Sequence, residues 1–250
     1  PGKNGKKSFF DLNIDGNAGN DLKDIEIPAN DSIYAFVRVT INPNLPLSIS
    51  PYVITEDLLF ETNGNTQKVI LEAWGQDANY IPSKTSNGKV AILNGNGQEI
   101  VWSDSKPYVI YGILLLENVK LTLPAGTRIH VHGGIAKNDS LGGRYNDGII
   151  YVFPTAKLNV KGTKENPVIF EGDRLEDDFK EEPGQWGGII LGAGSTENVF
   201  EYATIKNSII GIRMDSASSM RILNSRIFNI AGNGIQASHA TIYGENNLIY

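Results

Sequence analysis

Two histidines two positions apart are the first residues of this chain that could do chemistry. His130 and His132 flank Val131, so on a β-strand their imidazoles point to the same side, about 7 Å apart. Such a pair binds zinc when a third ligand comes from a neighbouring strand, and Glu171, which we align with His132, is a candidate. The alternative, which the alternating pattern favours, is a polar ladder that points outward from the wall of the protein.

A dense acidic segment is the second candidate site. Six carboxylates fall within ten residues: Asp173, Glu176, Asp177, Asp178, Glu181 and Glu182. Calcium binds six to eight oxygens, so Asp173, Asp177 and Asp178 are candidate metal ligands, and calcium is the one cofactor that the sequence suggests. The basic side chains of Arg174 and Lys180, and the lack of an Asp-x-Asp-x-Asp-Gly spacing, favour a solvated loop instead.

A tryptophan in a glycine-rich turn is a candidate binding residue. Trp186 is flanked by Gly184, Gly187 and Gly188, so its ring could be a platform on which a sugar stacks. The alternative is that Trp186 packs beneath the acidic segment where that segment rejoins the fold. The apolar run that follows at once favours packing.

The chain shows no recognisable catalytic constellation. A glycoside hydrolase needs carboxylates that converge on one bond, one of them held protonated, and a calcium-dependent lyase needs a Lys or Arg base beside the acidic cluster. The pair Asp177-Asp178 lies in a long loop, and no neighbouring strand offers an obvious base. The sequence therefore favours a binding module over a polysaccharide lyase or hydrolase, whose decisive residues would have to lie beyond residue 250. A purely structural spacer is a third possibility.

Composition excludes several classes of protein. The formal net charge is −6 and the 22 Lys and Arg residues are scattered, which argues against a nucleic-acid partner. The chain has no cysteine, so it has neither a disulfide framework nor a thiolate metal site. No apolar run approaches 18 residues, so the sequence predicts no membrane-spanning helix.

A repeat of about 22 residues shows what must position these side chains. Ile205, Ile227 and Ile249 stand at equal intervals, and a glycine series advances by 23 residues through Gly188, Gly211 and Gly234. A fixed period of this length is typical of a solenoid. The apolar residues are β-branched, alternate with polar ones and are interrupted by Asn and Gly, which indicates short strands joined by tight turns. The three isoleucines should stack in one interior column.

The first part of the chain has a different pattern. Runs of five to eight alternating residues are separated by turn signals such as Asn42-Pro43-Asn44 and Asn63-Gly64-Asn65. This spacing is typical of a β-sandwich. We therefore predict an all-β protein in which residues 1–82 form an immunoglobulin-like sandwich, residues 83–106 a joining segment and residues 107–250 a solenoid of about five coils.

Several motifs resemble those of a known family, the right-handed parallel β-helix lipoproteins of Gram-negative outer membranes. The motifs are Tyr108-Val109-Ile110-Tyr111-Gly112, Pro124-Ala125-Gly126-Thr127, Val160-Lys161-Gly162-Thr163 and Pro183-Gly184-Gln185-Trp186-Gly187-Gly188-Ile189. The segment from Thr62 to Ala78 resembles the immunoglobulin-like module that precedes the β-helix in those proteins. The resemblance implies a right-handed parallel β-helix for residues 107–250.

The same resemblance implies a location and contacts. It implies export, a lipid anchor on a cysteine upstream of residue 1, and a place at the outer membrane, on the cell surface or in the periplasm. Glycans and other outer-membrane proteins are then the expected partners. Asp139-Ser140-Leu141 matches an Asp-Ser/Thr-apolar O-glycosylation acceptor seen in relatives, with Ser140 as the modified residue. The strand that ends at Tyr250 lacks a polar cap, so we expect the β-helix to continue or a partner to cover its edge.

Overall fold

The computed structural model describes residues 7–45, 49–82, 90–138, 143–176 and 179–250. Every regular element in these ranges is a β-strand, which confirms the all-β prediction. The chain divides into two compact units, residues 1–76 and 77–250. None of the described residues belongs to a helix long and apolar enough to cross a membrane. Ser140, Asp177 and Asp178 lie outside the described residues.

The N-terminal unit contains two antiparallel pieces. The first is a sheet in the order β2-β1-β3, and the second is a hairpin of β4 and β5. Their bounds are β1 Phe10–Ile14, β2 Asn17–Ala18, β3 Ala35–Val39, β4 Val53–Thr62 and β5 Asn65–Trp74. Asn63 and Gly64 take positive φ values of 50° and 77°, as a two-residue hairpin turn requires. The immunoglobulin-like sandwich stays a prediction.

The second unit is a parallel β-helix with three sheets. Sheet 1 contains β7 Val90–Asn94, β10 Ile113–Glu117, β15 Ile149–Val152, β18 Gly188–Leu191, β21 Ile212–Met214 and β24 Ile235–Ala237. Sheet 2 contains β8 Glu99–Val101, β11 Lys120–Pro124, β16 Lys157–Lys161, β19 Asn198–Glu201, β22 Ser219–Leu223 and β25 Thr241–Glu245. Sheet 3 contains β6 Asn79–Pro82, β9 Tyr108–Tyr111, β12 Arg128–His132, β17 Val168–Gly172, β20 Ala203–Lys206, β23 Arg226–Phe228 and β26 Leu248–Ile249.

Each coil supplies one strand to each sheet in turn. One excursion interrupts this order between β12 and β15, where β13 (Ile135–Asn138) and β14 (Gly143–Asn146) form an antiparallel hairpin. The helix begins earlier than the predicted residue 107, because β6 already pairs in parallel with β9 and β7 and β8 pair with the strands of the next coil. The first coil lacks the 22-residue repeat, so its strands resembled a joining segment in the sequence.

The stacking of the three isoleucines is confirmed, and two of them are interior, whereas Ile249 is 47% exposed. Ile205 pairs with Ile227 and Ile227 with Ile249, and the side chains of Ile205 and Ile227 are fully buried. Parallel pairing puts equivalent residues about 4.8 Å apart on neighbouring strands. The repeat therefore exists because each coil buries its apolar side chain against the same side chain of the next coil.

The tight turns between strands also follow the repeat. Tyr202, Asn224 and Asn246 occupy equivalent corners with φ values of 48°, 51° and 54°, a region that Asn tolerates better than most residues. The glycine series has a steric cause, because a Cβ atom on Gly211 would lie 2.3 Å from the carbonyl oxygen of Gly234. Only glycine lets adjacent coils approach this closely.

Candidate functional site on the outer face of sheet 3

Both excursions of the β-helix leave sheet 3 at the carboxyl ends of two neighbouring strands. The hairpin of β13 and β14 follows β12, and the acidic segment follows β17. Their bases are tied together, since Asn146 Nδ2 donates a 2.9 Å hydrogen bond to the carbonyl oxygen of Gln185. Parallel strands end at the same edge of a sheet, so polar residues on β12 and β17 meet beneath these excursions.

The first outer row of sheet 3 brings together an imidazole, a carboxylate and an ammonium group. His130 pairs with Glu171 across the strands, and His130 Nδ1 lies 3.5 Å from Glu171 Oε1. Lys206 Nζ lies 3.1 Å from the other oxygen, Glu171 Oε2. The carboxylate of Glu171 therefore lies between a neutral and a positive nitrogen, in a row where all three side chains are shielded from solvent.

His130 lies on the outer side of the sheet, as predicted, but it is not accessible to solvent. Its neighbours Ile129 and Val131 pack in the core, and His130 itself is only 2% exposed. Burial lowers the pKa of His130 to about 4, and the positive charges of Arg128 and Lys206 act in the same direction against the opposing effect of Asp173. The imidazole is therefore neutral at neutral pH and too buried to contact a large ligand.

The second outer row joins His132 to an aromatic ring and a carboxylate. The rings of Tyr111 and His132 stack with centroids 4.6 Å apart and planes 10° apart. His132 Nδ1 lies 2.8 Å from Asp173 Oδ2, a distance at which the ring N–H donates to the carboxylate. The His132 side chain is 24% exposed, so this row is the part of the cluster that reaches solvent.

The predicted alignment of Glu171 with His132 is wrong. Glu171 pairs with His130, and Asp173 is the partner of His132. The predicted alignment of these two strands is off by two residues, because the excursion between β12 and β15 obscures the true offset between β12 and β17. A shift of two residues leaves each side chain on the same face of the sheet, so the two histidines still lie on the outer face.

The sequence offers two candidate metal sites, zinc at His130 and His132 and calcium in the acidic segment. No group of three His, Asp or Glu side chains within the described ranges is arranged to hold a metal ion. Asp173 is buried and engaged with His132, while Asp177 and Asp178 lie in the part of the chain that is not described. Calcium therefore stays a prediction. Zinc binding at His130 and His132 also stays a prediction, and Glu171, the proposed third ligand, pairs with His130 and not with His132.

Asn207 and Asn229 form an asparagine ladder that hydrogen-bonds the acidic excursion to a corner of the β-helix. Asn229 Nδ2 donates a 2.7 Å hydrogen bond to Asn207 Oδ1, as expected for stacked corner asparagines. Asn207 Nδ2 also donates to the carbonyl oxygen of Lys180 at 2.7 Å, and Asn229 Nδ2 donates to that of Glu181. The contact between these asparagines and the excursion has no signature in the sequence, because nothing in a local pattern shows where a long loop folds back.

Trp186 belongs to the core. Its side chain is fully buried in the hydrophobic cluster of the β-helix, and Nε1 donates a 2.9 Å hydrogen bond to the carbonyl oxygen of Lys206. The sugar-platform interpretation is therefore wrong, and the packing alternative agrees with the structure.

Sequence reasoning missed an aromatic pair on the outer face of the same sheet, made of the partly buried Phe228 and the exposed Tyr250. The rings of Phe228 and Tyr250 stack with centroids 5.4 Å apart and planes 8° apart. The guanidinium of Arg226 lies 5.1 Å from the Phe228 ring, and Arg226 Nη2 lies 3.4 Å from the Tyr250 hydroxyl. The 22-residue spacing of Phe228 and Tyr250, parallel to that of Ile227 and Ile249, was the signal that could have revealed this pair.

Comparison with known proteins supports the fold and gives no more specific relative. Residues 95–218 match the family model of the pectate-lyase-like β-helix domain. No curated protein matches the chain, and no solved structure matches it. Together with the stacked parallel sheets, the family match supports a right-handed parallel β-helix in the second unit.

Proposed function

We propose that this chain is a non-catalytic module that binds glycan chains through the outer face of sheet 3. The observation that carries the proposal is the presence of two aromatic stacks on that face. Tyr111 with His132 and Phe228 with Tyr250 lie on strands four positions apart in the sheet, which corresponds to roughly 19 Å. An extended polymer lying across the strands could contact both stacks.

The chemistry around the stacks suits sugars. A sugar ring offers an apolar face that packs on an aromatic ring and hydroxyl groups that need hydrogen-bond partners. Arg226, an exposed residue beside Phe228, supplies such a partner at that end of the face. The pectate-lyase-like β-helix match is compatible with a protein that acts on or binds polysaccharides.

The burial of the ionisable cluster favours binding over catalysis. His130, Glu171 and Asp173 are all buried and engaged with other protein groups. A general acid or base must come within hydrogen-bond reach of the proton that it transfers. A lyase or hydrolase at this cluster is therefore not favoured, and the cluster serves to fix the acidic excursion.

The wider setting of this proposal rests on the family resemblance. It includes an exported, lipid-anchored protein on the outer membrane, an immunoglobulin-like arrangement of the N-terminal unit, and O-glycosylation at Ser140. In this setting the N-terminal unit is a stalk and the β-helix presents its faces to surface glycans. Detection of a lipid-modified upstream cysteine in the protein isolated from its natural source would test the anchoring directly.

The decisive experiment measures glycan affinity. The full chain and its Phe228→Ala variant are titrated against a panel of soluble neutral and acidic polysaccharides by calorimetry. We expect at least one ligand and a loss of roughly tenfold in affinity, since an aromatic stacking contact contributes about 1 kcal/mol or more. Tyr243→Ala is the matched control, because Tyr243 is an exposed tyrosine on sheet 2. Absence of binding, or equal losses in both variants, would refute the proposal.

A second candidate is a partner protein that packs on sheet 1. The outer face of this sheet carries an aliphatic and aromatic row in which Ile92, Leu115, Tyr151 and Ile190 pair in sequence. All are at least partly exposed, and Ile92 is 55% exposed. Rows of this kind are a feature of protein interfaces. A pull-down from outer membranes in which Leu115→Lys loses a specific band that the Val101→Lys control retains would favour this candidate.

A further inference from the structure

We propose that the glycan bound by sheet 3 is acidic and carries its carboxylates at intervals, with uncharged sugars between them. This assignment of the substrate class rests on the proposed function. It is carried by two arginines, Arg128 and Arg226, which lie in one row across the outer face of the sheet. Both are exposed, and a guanidinium stays charged throughout the physiological pH range.

The strand pairing defines this arginine row. Arg128 pairs with Ile169, and Ile169 pairs with Thr204. Thr204 in turn pairs with Arg226. The two arginines therefore stand on strands three positions apart in the sheet, which separates their Cα atoms by roughly 14 Å. Ile169 and Thr204 between them are uncharged and partly exposed, so the row offers two positive charges separated by a neutral surface.

The charges of the arginine row are not compensated by carboxylates. Within the described ranges, neither Arg128 nor Arg226 has an ion pair, whereas Lys206 in the adjacent row is paired with Glu171. The guanidinium of Arg226 lies 5.1 Å from the Phe228 ring, a contact that leaves its charge in place. An uncompensated positive row attracts an anionic ligand, and Arg binds a carboxylate through two parallel hydrogen bonds.

The spacing of the arginines distinguishes two kinds of acidic glycan. A polymer with a carboxylate on every sugar would place some carboxylates over Ile169 and Thr204, where they would lose water without gaining a charged partner. A polymer with neutral sugars between its carboxylates can place charge at Arg128 and Arg226 alone. The arginine row therefore favours the second kind of polymer.

Four polysaccharides test this assignment when each is titrated against the full chain by calorimetry. Dextran is neutral, hyaluronan carries a uronate on every second sugar, de-acylated gellan on every fourth, and polygalacturonate on every sugar. The repeat of hyaluronan is shorter than the arginine spacing and that of gellan is longer, so the two bracket it. We expect hyaluronan or gellan to bind at least roughly fivefold more tightly than dextran and polygalacturonate. This advantage should shrink at high salt, because salt screens exposed charges.

Substitutions at the arginine row test the contacts themselves. Arg128→Gln and Arg226→Gln each remove one charge and keep a polar side chain. In each variant, we expect the preference for the acidic polymer over dextran to fall by roughly fivefold, whereas Arg226→Lys, which keeps the charge, should lose less. Arg221→Gln is the matched control, because Arg221 is an exposed arginine on sheet 2, and its preference should match that of the wild type.

The outcomes separate this assignment from the proposed function. Tightest binding of dextran or of polygalacturonate would overturn the assignment, although sheet 3 would still bind glycan. An unchanged preference in Arg128→Gln and Arg226→Gln, or an equal fall in Arg221→Gln, would also overturn it. If none of the four polymers binds, the assignment is wrong, and the proposed function is refuted with it when the wider panel of neutral and acidic polysaccharides is negative as well.

Discussion

The inner and outer faces of sheet 3 use the same strand pairing but hold together in different ways. On the inner face Phe170, Ile205 and Ile227 form a column of apolar side chains that are fully buried. On the outer face the corresponding row runs through His130, Glu171 and Lys206. The inner column repeats one apolar contact. The outer row instead places different polar groups side by side, and the charge of Glu171 is balanced by that of Lys206.

This difference determines where each face is vulnerable. An apolar column tolerates any side chain of similar size and rejects charge, because a charge in a dry stack has no partner. The outer row already contains charge, and its cost is offset by the ion pair of Glu171 with Lys206. Its weak point is a change in protonation state, which upsets the balance without any change in sequence.

The largest expected effect is a charge in the inner column. Ile227→Asp should destabilise the protein by about 4 kcal/mol or more, since an unpaired carboxylate would replace a fully buried side chain. Arg221→Asp, at an exposed position on sheet 2, is the control and should change stability by about 0.5 kcal/mol or less. Urea denaturation followed by circular dichroism measures both. Similar midpoints for the two variants would show that Ile227 does not lie in the column.

The next effect concerns the outer row and its pH dependence. The pKa of His130 is lowered to about 4 in the folded protein, whereas an unfolded histidine has a pKa near its ordinary value of 6.5. Between these values the unfolded chain binds the proton more readily, so stability falls as the pH falls from 6.5 to 4. At pH 4.5 the loss relative to pH 7.5 is on the order of 2 to 3 kcal/mol from this group alone.

His130→Gln isolates this contribution because it removes the titrating group and keeps a polar side chain. We expect the loss of stability between pH 7.5 and pH 4.5 to be smaller in the variant than in the wild type, by on the order of 2 to 3 kcal/mol. His239→Asn removes an exposed histidine and serves as the control. Identical pH profiles for the wild type and His130→Gln would mean that His130 is not buried as a neutral imidazole.

A smaller effect tests the link between the wall and the acidic excursion. Asn229→Gly keeps the positive φ of 55° but removes the amide that donates to Asn207 and to the carbonyl oxygen of Glu181. We expect a loss of about 1 kcal/mol and faster trypsin cleavage after Lys180. Asn246→Gly makes the same change at a corner that bonds only Asn224 among the described residues. Equal cleavage rates in the two variants would show that the asparagine ladder does not hold the acidic excursion in place.

The inner face could be predicted from the sequence, and the outer face could not. The stacking of Ile205 on Ile227 follows from a fixed period, because each coil packs its isoleucine against the isoleucine of the next coil. The burial of His130 depends instead on Glu171, on Lys206 and on an excursion of irregular length, none of which has a local signature. Trp186 was ambiguous for a similar reason, since a glycine-rich turn is compatible with either an exposed or a buried ring.

The start of the β-helix and the aromatic pair at Phe228 show two further limits. The first coil has no 22-residue repeat, so it is recognised as part of the helix only by the parallel pairing of β6, β7 and β8 with the strands of the next coil. Phe228 and Tyr250 also follow the 22-residue repeat, but the prediction aligned only the inward-facing isoleucines beside them. A periodic pattern therefore predicts both faces of a strand, provided that the outward residues are also aligned.

The smallest expected effect is a gain at the corner where the repeat is imperfect. Tyr202 holds a φ of 48° at a corner where the next two coils have Asn224 and Asn246, and Asn246 Nδ2 donates to Asn224 Oδ1 at 2.6 Å. Tyr202→Asn would place a better-suited residue in this conformation and offer an acceptor to the Asn224 amide, which extends the ladder by one coil. The loss of contacts of the partly buried tyrosine ring offsets part of this gain, so we expect a net stabilisation of about 0.5 kcal/mol. A thermal melt should show a rise of about one or two degrees in Tm, whereas Tyr202→Ala should show a fall, because alanine lacks both the amide and the tolerance for positive φ. A fall in Tm for Tyr202→Asn would mean that packing of the Tyr202 ring outweighs the backbone conformation at this corner, and that the three corners are equivalent in geometry but not in energy.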